Sequence, residues 1–196
     1  MTISNGKTRT RLAPSQRKEQ LLNFALDVFS KRDIGRAGHA DIAEMADVSV
    51  ATVFNYFPSR EELVEAVLKQ TEKEFKQLVN RYLAGNPDLS VALIDLSEAI
   101  IDAALDEKDW LKIWFEWSTA TQEDIWQPYI EAKENIFSPY RDLFASTISE
   151  QEKRSADDIQ RLFDGICYVL YLQTHQHPDK DILLQQAHRY VHIICR

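Results

Sequence analysis

The chain has 196 residues, 44% of them hydrophobic, which is enough for a folded core and excludes an intrinsically disordered protein. Glycine and proline are scarce, at 5 and 6 residues, and no apolar run approaches the ~18 residues of a membrane span, so we expect an all-α protein without a transmembrane segment. The net charge of −8 lies entirely in residues 76–196, which hold 12 basic and 20 acidic residues, whereas residues 1–75 hold 11 of each. This asymmetry excludes nucleic-acid binding over the whole surface and leaves the N-terminal part as the region able to meet phosphate.

The first 13 residues are predicted to form a flexible basic arm. Residues 1–18 contain five Lys or Arg and no acidic residue. Lys7, Arg9 and Arg11 occupy alternate positions, and an arm of this kind can enter the minor groove beside a DNA-binding module, where narrow A·T-rich grooves attract arginine. The alternative is a tail that only increases solubility.

Helix signals follow one another along the chain. Ser15 is expected to cap the first helix, which Gly35 and Gly38 end. Ser59, in S-x-x-E spacing, starts a long helix that ends near Leu83. Further helices are expected at roughly 90–106, 108–120, 122–150, 156–175 and 179–195.

Between the first helix and the long one, "ADIAEMADVSVATVFNY" predicts two short helices joined by a tight turn, which is a helix-turn-helix. Ala43 falls where the two helices cross closely and only a small residue fits. Asp47 occupies the turn position at which a left-handed backbone usually favours glycine, and aspartate tolerates that conformation. Ser49 is a good cap for the second helix. The side chains expected to be buried are Ile42, Ala46, Val48, Val53 and Tyr56.

The second short helix has the features of a recognition helix for the DNA major groove. Small residues at its start allow it to enter the groove. An asparagine can pair with adenine through two hydrogen bonds, small apolar side chains can contact thymine methyl groups, and hydroxyls can bind phosphate. The predicted contacts are Ser49, Val50, Ala51, Thr52 and Asn55, with the hydroxyl of Tyr56. The alternatives are a helical hairpin without nucleic acid and a protein-interaction module that no longer reads DNA.

The stretch "DIAEMADVSVATVFNYFPSREEL" resembles the DNA-binding domain of TetR-family transcriptional regulators over about residues 15–70. "TRTRLAP", "GHADIAE", "VSVATVFNYFPSRE", "WLKIWFEWS" and "FDGICY" resemble, over nearly the whole chain, the quorum-sensing master regulators of the LuxR/HapR type. The resemblance implies a TetR-like fold and a cytoplasmic homodimer that activates some promoters and represses others at high cell density. It also implies DNA binding through the recognition helix and an N-terminal arginine arm, which favours Arg9, Arg11 and Asn55.

"WLKIWFEW" places Trp110, Trp114 and Trp117 on one stripe of a helix. These rings either pack in the core or line a ligand cavity, as in TetR-type proteins generally. The pocket that would take a small apolar ligand is expected at Phe75, Leu78, Ile100, Trp110, Trp114 and Cys167.

The last two predicted helices are strongly apolar on one face. Symmetry gives a reason for a dimer, because two recognition helices about 34 Å apart read a pseudo-palindromic operator that one helix would bind weakly. The resemblance implies that these helices pair with their copies in a four-helix interface. The residues expected there are Leu162, Ile166, Val169, Leu170, Leu184 and Val191. The expected organisation is an arm (1–13), a helix-turn-helix domain (14–74) and a helical regulatory and dimerisation domain (75–196).

The expected function is therefore sequence-specific, cell-density-dependent regulation of transcription. The alternative is a TetR-type repressor that a small apolar molecule releases from DNA. The expected partners are double-stranded operator DNA and a second copy of the chain, with a small apolar ligand and RNA polymerase as additional candidates.

The residues give little support to catalytic or metal chemistry. His188 and His192 have the i, i+4 spacing of two metal ligands, but no glutamate follows His188 as in H-E-x-x-H, and the sequence indicates no third ligand. It contains no Gly-rich phosphate loop and no G-x-S-x-G motif. Cys167 and Cys195 lie in apolar stretches and imply no disulfide, which fits a reducing cytoplasm. We expect no enzyme activity, no cofactor and no metal.

Overall fold

The computed structural model describes residues 13–148 and 154–196, and within these ranges the chain forms helices without any strand, as predicted. No helix in the described ranges is both long and apolar enough to cross a membrane. The helices are α1 (Pro14–Arg32), α2 (His39–Met45), α3 (Val50–Phe54), α4 (Arg60–Leu83), α5 (Leu89–Leu105), α6 (Asp109–Ser118), α7 (Glu123–Phe137), a 3-10 turn (Ser138–Tyr140), α8 (Arg141–Ala145), α9 (Ala156–Gln176) and α10 (Lys180–Ile194).

Two helix predictions are corrected by proline positions. Ser15 does not cap α1, because Pro14 is the first helical residue and Ala13 stands at the cap position. Proline is suited to that place, since it has no N–H to leave unsatisfied and its φ is already helical. The single helix expected at 122–150 ends at Phe137, where Pro139 forces a 3-10 turn before α8 begins.

The first three helices pack together, and we call them the head; their buried side chains belong to one apolar core that continues into the following helices. α2 packs against both α1 and α3. Of the five side chains predicted to be buried in the helix-turn-helix, Ile42 and Val53 are fully buried, and Ala46, Val48 and Tyr56 are half-buried. The fully buried residues that these three helices contribute are Leu21, Ala25, Phe29, Ile42 and Val53. Burial of each large side chain contributes about 1.5–3 kcal/mol, so the head has a substantial apolar core to hold α3 in place.

The remaining helices, α4–α10, form the body, with α5 at its centre. α5 packs against α4, α6, α9 and α10, and the side chains of Leu93, Leu96 and Ile100 are fully buried. α4 follows the head directly and continues unbroken through the boundary expected at 74/75. The division of the chain into domains at that point stays a prediction.

Candidate nucleic-acid interface

The turn between α2 and α3 has the backbone that the sequence predicted. Asp47 adopts a left-handed conformation with φ of 50°. The amide of Asp47 donates to the carbonyl of Glu44 (3.3 Å) and that of Val48 to the carbonyl of Ala43 (3.0 Å), which is the Schellman arrangement that ends a helix sharply. Ala43 is buried at the crossing, as expected. The turn therefore sets the direction in which α3 leaves α2.

Ser49 caps α3, as predicted. Its Oγ accepts a hydrogen bond from the amide of Thr52 (3.1 Å) and lies 2.8 Å from the Thr52 hydroxyl. α3 then ends one turn later, at Phe54, so Asn55 stands at its C-terminal cap instead of within the helix. The recognition helix is thus shorter than the sequence indicated, and it is held at its start by its own side chains.

The predicted DNA contacts differ in how exposed they are. Val53, which is not one of them, is fully buried on the inner side of α3. Among the predicted contacts, Thr52 and Tyr56 are half-buried. The exposed members of the predicted set are Ser49, Val50, Ala51 and Asn55. The arm contacts Lys7, Arg9 and Arg11 lie outside the described residues.

A pair of stacked rings supports the end of α3, and the sequence did not predict it. The ring of Phe54, 44% exposed, stacks on the buried ring of His39 with centroids 3.9 Å apart. His39 Nε2 also donates a hydrogen bond to the backbone carbonyl of Phe57 (2.7 Å). The motif "FNYF" was the only signal, and it gave no partner for these rings. His39 therefore ties the start of α2 to the end of the recognition helix.

Replacing His39 with alanine is expected to lower the free energy of unfolding by about 1–3 kcal/mol, because Phe54 loses its stacking partner and the Phe57 carbonyl loses its donor. Chemical denaturation measures this change. Gln77→Ala, at an exposed position on α4, is the control and should stay within about 0.5 kcal/mol of wild type. Equal small effects at the two positions would contradict the supporting role of His39.

Positive charge near α3 includes one lysine that the sequence did not single out. Lys18 is exposed on α1, and its Nζ lies 5.6 Å from the centroid of the Phe57 ring. Two other cations of the head are paired, since Lys31 contacts Asp27 and Arg32 contacts Asp41, each at 2.5 Å. Lys18 therefore adds an exposed positive charge close to the end of α3.

The first turn of α4 follows the recognition helix directly. Ser59 caps it, accepting a hydrogen bond from the amide of Glu62 (3.1 Å), as the S-x-x-E spacing predicted. The pKa of the exposed Glu61 carboxyl is lowered by its own backbone amide and by the Ser59 hydroxyl. Glu61 is thus favoured in its charged form, which suits the positive end of the helix dipole.

The residues expected to line a ligand pocket lie in or beside the packed core of the body. Phe75, Ile100, Trp114 and Cys167 are buried, and Leu78 and Trp110 are half-buried. The rings of Phe75 and Trp114 stack with centroids 4.1 Å apart. A cleft of about 530 Å³ lies between α4 and α7, and none of the six lines it. The pocket at these residues stays a prediction.

An ion pair joins α7 to α9. Lys133 Nζ lies 2.5 Å from Asp164 Oδ2. Burial raises the pKa of the Asp164 carboxyl, and the charge of Lys133 opposes that rise. Burial also raises the pKa of Tyr129, with a further contribution from Asp164. The Tyr129 ring, one helical turn before Lys133 on α7, lies 5.1 Å from that of Trp114.

The predicted dimer residues point in two directions. Leu162 and Val169 are 51% and 41% exposed, and Ile166 and Leu184 are half-buried. The prediction is wrong for Leu170 and Val191, which are fully buried within the chain. Successive residues turn by about 100° around a helix, so Leu170 faces inward beside an outward Val169. Three exposed apolar residues were missed, namely Leu172, Ile182 and Ile193.

Comparisons with known proteins agree with this geometry. The family model for bacterial regulatory proteins of the tetR family matches residues 21–67. The HTH-type transcriptional regulator LuxR of Vibrio harveyi is 37% identical to this chain, in an alignment that covers 96% of the chain and 94% of the relative.

Two solved structures share the fold at low identity. A cysteine mutant of the TetR-family regulator CifR, complexed with a 26-bp double-strand operator DNA, has a TM-score of 0.72 at 16% identity and covers 89% of this chain and 94% of its own. The transcriptional regulator FadR of Bacillus subtilis, in complex with stearoyl-CoA, has a TM-score of 0.70 at 12% identity, with coverage of 90% and 96%. The expected TetR-like fold is thereby confirmed.

Proposed function

The chain belongs to the TetR family of bacterial transcriptional regulators, and we propose that it acts as a homodimer that reads a pseudo-palindromic operator with the α3 helix of each subunit. One observation carries the proposal. Val50, Ala51 and Asn55 are exposed on a short helix whose inner side chain, Val53, is fully buried. The head therefore holds α3 by one side and presents the other to the major groove.

Each exposed side chain of α3 has a chemical role in this proposal. Asn55 pairs with adenine through two hydrogen bonds, and Val50 and Ala51 contact thymine methyl groups. The hydroxyls of Ser49 and Thr52 bond to each other, which uses one of their two protons and leaves the other for a phosphate.

Three further contacts complete the proposed interface on the head. Phe54, beside Asn55, is a candidate for an apolar contact with a thymine methyl group. Lys18 and the half-buried Tyr56 are assigned to phosphate.

The charge distribution supports the same orientation on DNA. Residues 76–196 carry the whole net charge of −8, whereas residues 1–75 are neutral and the arm and head, residues 1–54, hold eight basic and six acidic residues. Repulsion keeps the body away from the phosphates, while the basic arm draws the head toward them. The acidity of the chain is thus compatible with DNA binding.

Dimerisation is proposed through the outward faces of α9 and α10. Leu162, Val169 and Ile182 expose apolar surface there. Gln173 Oε1 and Gln186 Oε1 are buried without a hydrogen-bond partner among the described residues, and both residues line the depression between the two helices. An unsatisfied buried acceptor costs about 1–3 kcal/mol. A second copy that supplies donors and apolar cover would remove that cost.

The test of DNA reading begins with the operator itself. Wild-type protein selects duplexes from a random library, and fluorescence anisotropy then compares the selected duplex with a scrambled one. Tight binding to the selected duplex alone supports the proposal. Equal, weak binding to both would contradict it and favour a protein-interaction module.

Removal of residues 1–12 is expected to reduce the salt dependence of operator binding. For each phosphate that the protein no longer neutralises, the slope of log K against log salt falls by about 0.9, because fewer counterions are released. A full-length variant with Lys7, Arg9 and Arg11 all changed to alanine separates charge from length. Anisotropy across a salt series measures the slope. A slope equal to that of wild type would mean that the arm does not contact phosphate, and it would favour the alternative of a tail that only increases solubility.

The likeness to LuxR of Vibrio harveyi supports a further proposal about which genes the chain regulates. We assign to this chain the control of cell-density-dependent genes in the cytoplasm, with activation at some promoters, through contact with RNA polymerase, and repression at others. Transcript profiles of the host with and without the gene, at low and high density, test this assignment. Gene sets that change in both directions only at high density support it.

A second function is favoured by the cleft between α4 and α7. Its floor includes Val64, Leu68 and Trp117, and its volume of about 530 Å³ suits a small molecule. In this alternative an apolar ligand bound in the body shifts the heads and releases the operator. Quenching of tryptophan fluorescence by an apolar compound, coupled to loss of DNA binding, distinguishes it from the ligand-independent regulator.

A further inference from the structure

The turn between α1 and α2 is fastened to the rest of the molecule through the amide and the carbonyl of one residue. The Ile34 amide donates a hydrogen bond to Glu116 Oε1 at 2.6 Å, across 82 residues of sequence. The Ile34 carbonyl accepts a hydrogen bond from Arg60 Nη2, also at 2.6 Å. Both bonds involve a charged side chain, and such bonds are shorter and about twice as strong as neutral ones. Ile34 is therefore held from α6 on one side and from the start of α4 on the other.

The rest of the turn is closed by local hydrogen bonds. Asp33 has φ of 69° and its amide donates to the carbonyl of Phe29 (3.1 Å). The amides of Arg36 and Ala37 both donate to the Asp33 carbonyl at 3.1 Å. The amide of Ile34 instead points out of this local network to Glu116. Because that acceptor belongs to α6, the bond joins the turn directly to the body.

A second attachment lies one helical turn before Ile34. The buried Ser30 hydroxyl lies 2.5 Å from Asp109 Oδ1. Asp109 and Glu116 are seven residues apart on α6, which places both carboxylates on the same face of that helix. α6 thus offers two negative acceptors to the end of the head's first helix and to the turn that follows it.

α6 itself is firmly part of the body. Trp114 and Trp117 are buried, with ring centroids 5.9 Å apart. The indole Nε1 of Trp117 donates to the carbonyl of Ile125 at 2.6 Å, which ties α6 to α7. Burial raises the pKa of the neighbouring Glu116 carboxyl, and the Ile34 amide opposes that rise. Glu116 therefore stands on a rigid helix, and the Ile34 amide offsets part of the cost of burying its charge.

These contacts bear on DNA reading through the geometry of the head. α2 packs against both α1 and α3, so a change at the α1–α2 turn is expected to move α3 as well. In a dimer, the two α3 helices must meet major grooves about 34 Å apart, and a head that pivots would accept other separations. The apolar contact of α1 with α6 keeps the head attached when a polar bond is removed. Loss of the Glu116 bond is therefore expected to change orientation more than folding.

We propose that Glu116 is a positioning residue that fixes the head on the body and thereby sets the half-site spacing that the dimer accepts. The inference rests on the proposed function, because spacing has a meaning only for a dimer on an operator. A residue on α6, outside the helix-turn-helix, would then contribute to operator specificity. Glu116 touches no DNA in this arrangement and acts through the Ile34 peptide.

The experiment compares operators in which the two half-sites are moved apart or together. Duplexes carry the spacing selected by wild type, or one or two base pairs more or fewer. Glu116→Ala removes the acceptor, and Glu116→Gln keeps an oxygen without the charge. Glu123→Ala, at an exposed carboxylate at the start of α7, loses the same charge away from the turn and is the matched control. Anisotropy gives the affinity of each pair.

Wild type and Glu123→Ala are expected to prefer the selected spacing strongly. Glu116→Ala is expected to bind that spacing about tenfold more weakly, the change that loss of one charge-assisted bond brings, and to vary little across the series. Glu116→Gln should fall between them. Hydrogen exchange at the Ile34 amide gives a readout without DNA, and it should be faster in Glu116→Ala than in the control.

The outcomes separate two failures. If wild type binds the selected duplex no better than a scrambled one, the proposed function is wrong. If wild type discriminates but Glu116→Ala keeps the same spacing profile, the positioning role is overturned. Unchanged exchange at Ile34 would also overturn it. Should Glu116→Ala unfold, Glu116→Gln decides between the same outcomes.

Discussion

Replacing Val169 with aspartate is expected to convert the dimer into monomers and to weaken operator binding by about 100-fold or more. Val169 is 41% exposed on the outward face of α9, between Leu162 and Leu172. In a two-fold interface each new carboxylate would be buried close to its symmetry copy, and desolvation and repulsion would both oppose association. A monomer then binds each half-site alone and loses the advantage of simultaneous contact.

Analytical ultracentrifugation at micromolar concentration measures the first effect, and anisotropy on the selected operator measures the second. Val91→Asp is the matched control, because Val91 is 48% exposed on α5 and lies outside the proposed face. It should remain dimeric and bind as wild type does. A wild-type protein that sediments as a monomer, or a Val169→Asp protein that remains a dimer, would show that α9 does not carry the interface.

Replacing Asn55 with alanine is expected to remove about 1–3 kcal/mol of discrimination between the selected operator and a duplex with that base pair changed. The physical reason is the loss of a two-bond contact with adenine, which no other base offers in the same pattern. Affinity for a scrambled duplex should stay the same, because phosphate contacts supply it. Asn55 is exposed at the end of α3, so the fold of the head should be preserved.

Anisotropy on the two duplexes at one salt concentration gives the discrimination directly. Gln77→Ala, at an exposed amide on α4, serves as the control and should leave discrimination unchanged. If Asn55→Ala keeps the full wild-type preference at every base pair, then Asn55 does not read a base. Specificity would then be sought at Val50, Ala51 or Phe54, which lie on the same helix.

Features that depend on neighbouring residues can be read from the sequence. Asp47 has the left-handed backbone that its place in the turn predicted, and Ser49 and Ser59 cap the helices that follow them. Each of these depends on hydrogen bonds that span only a few residues, so the residue types carry the information. Pro14 and Pro139 are local signals of the same kind. Because of the backbone preferences of proline, the predicted start of α1 should have been Pro14 and the predicted end of α7 should have come before Pro139.

Apolar patterns are less decisive on the last two helices. Both are apolar over more than one face, and the pattern does not tell which face meets the chain's own core. α5 takes the inner face, with Leu170 and Val191, so the outer face is left at Leu162, Val169 and Ile182. That choice depends on where α5 lies, which is decided by the packing of the whole body.

The sequence by itself determined the all-α class, the helix-turn-helix with its turn and cap, and the charge division between the two parts of the chain, because these follow from local backbone preferences and composition. Only the tertiary structure decided the partners of single groups far apart in sequence. The stack of Phe54 on His39 and the bond between the Ile34 amide and Glu116 are such pairs. A hydrogen bond across 82 residues leaves no periodic trace in the sequence. Its energy depends on distances of a few ångströms that exist only once the helices have packed.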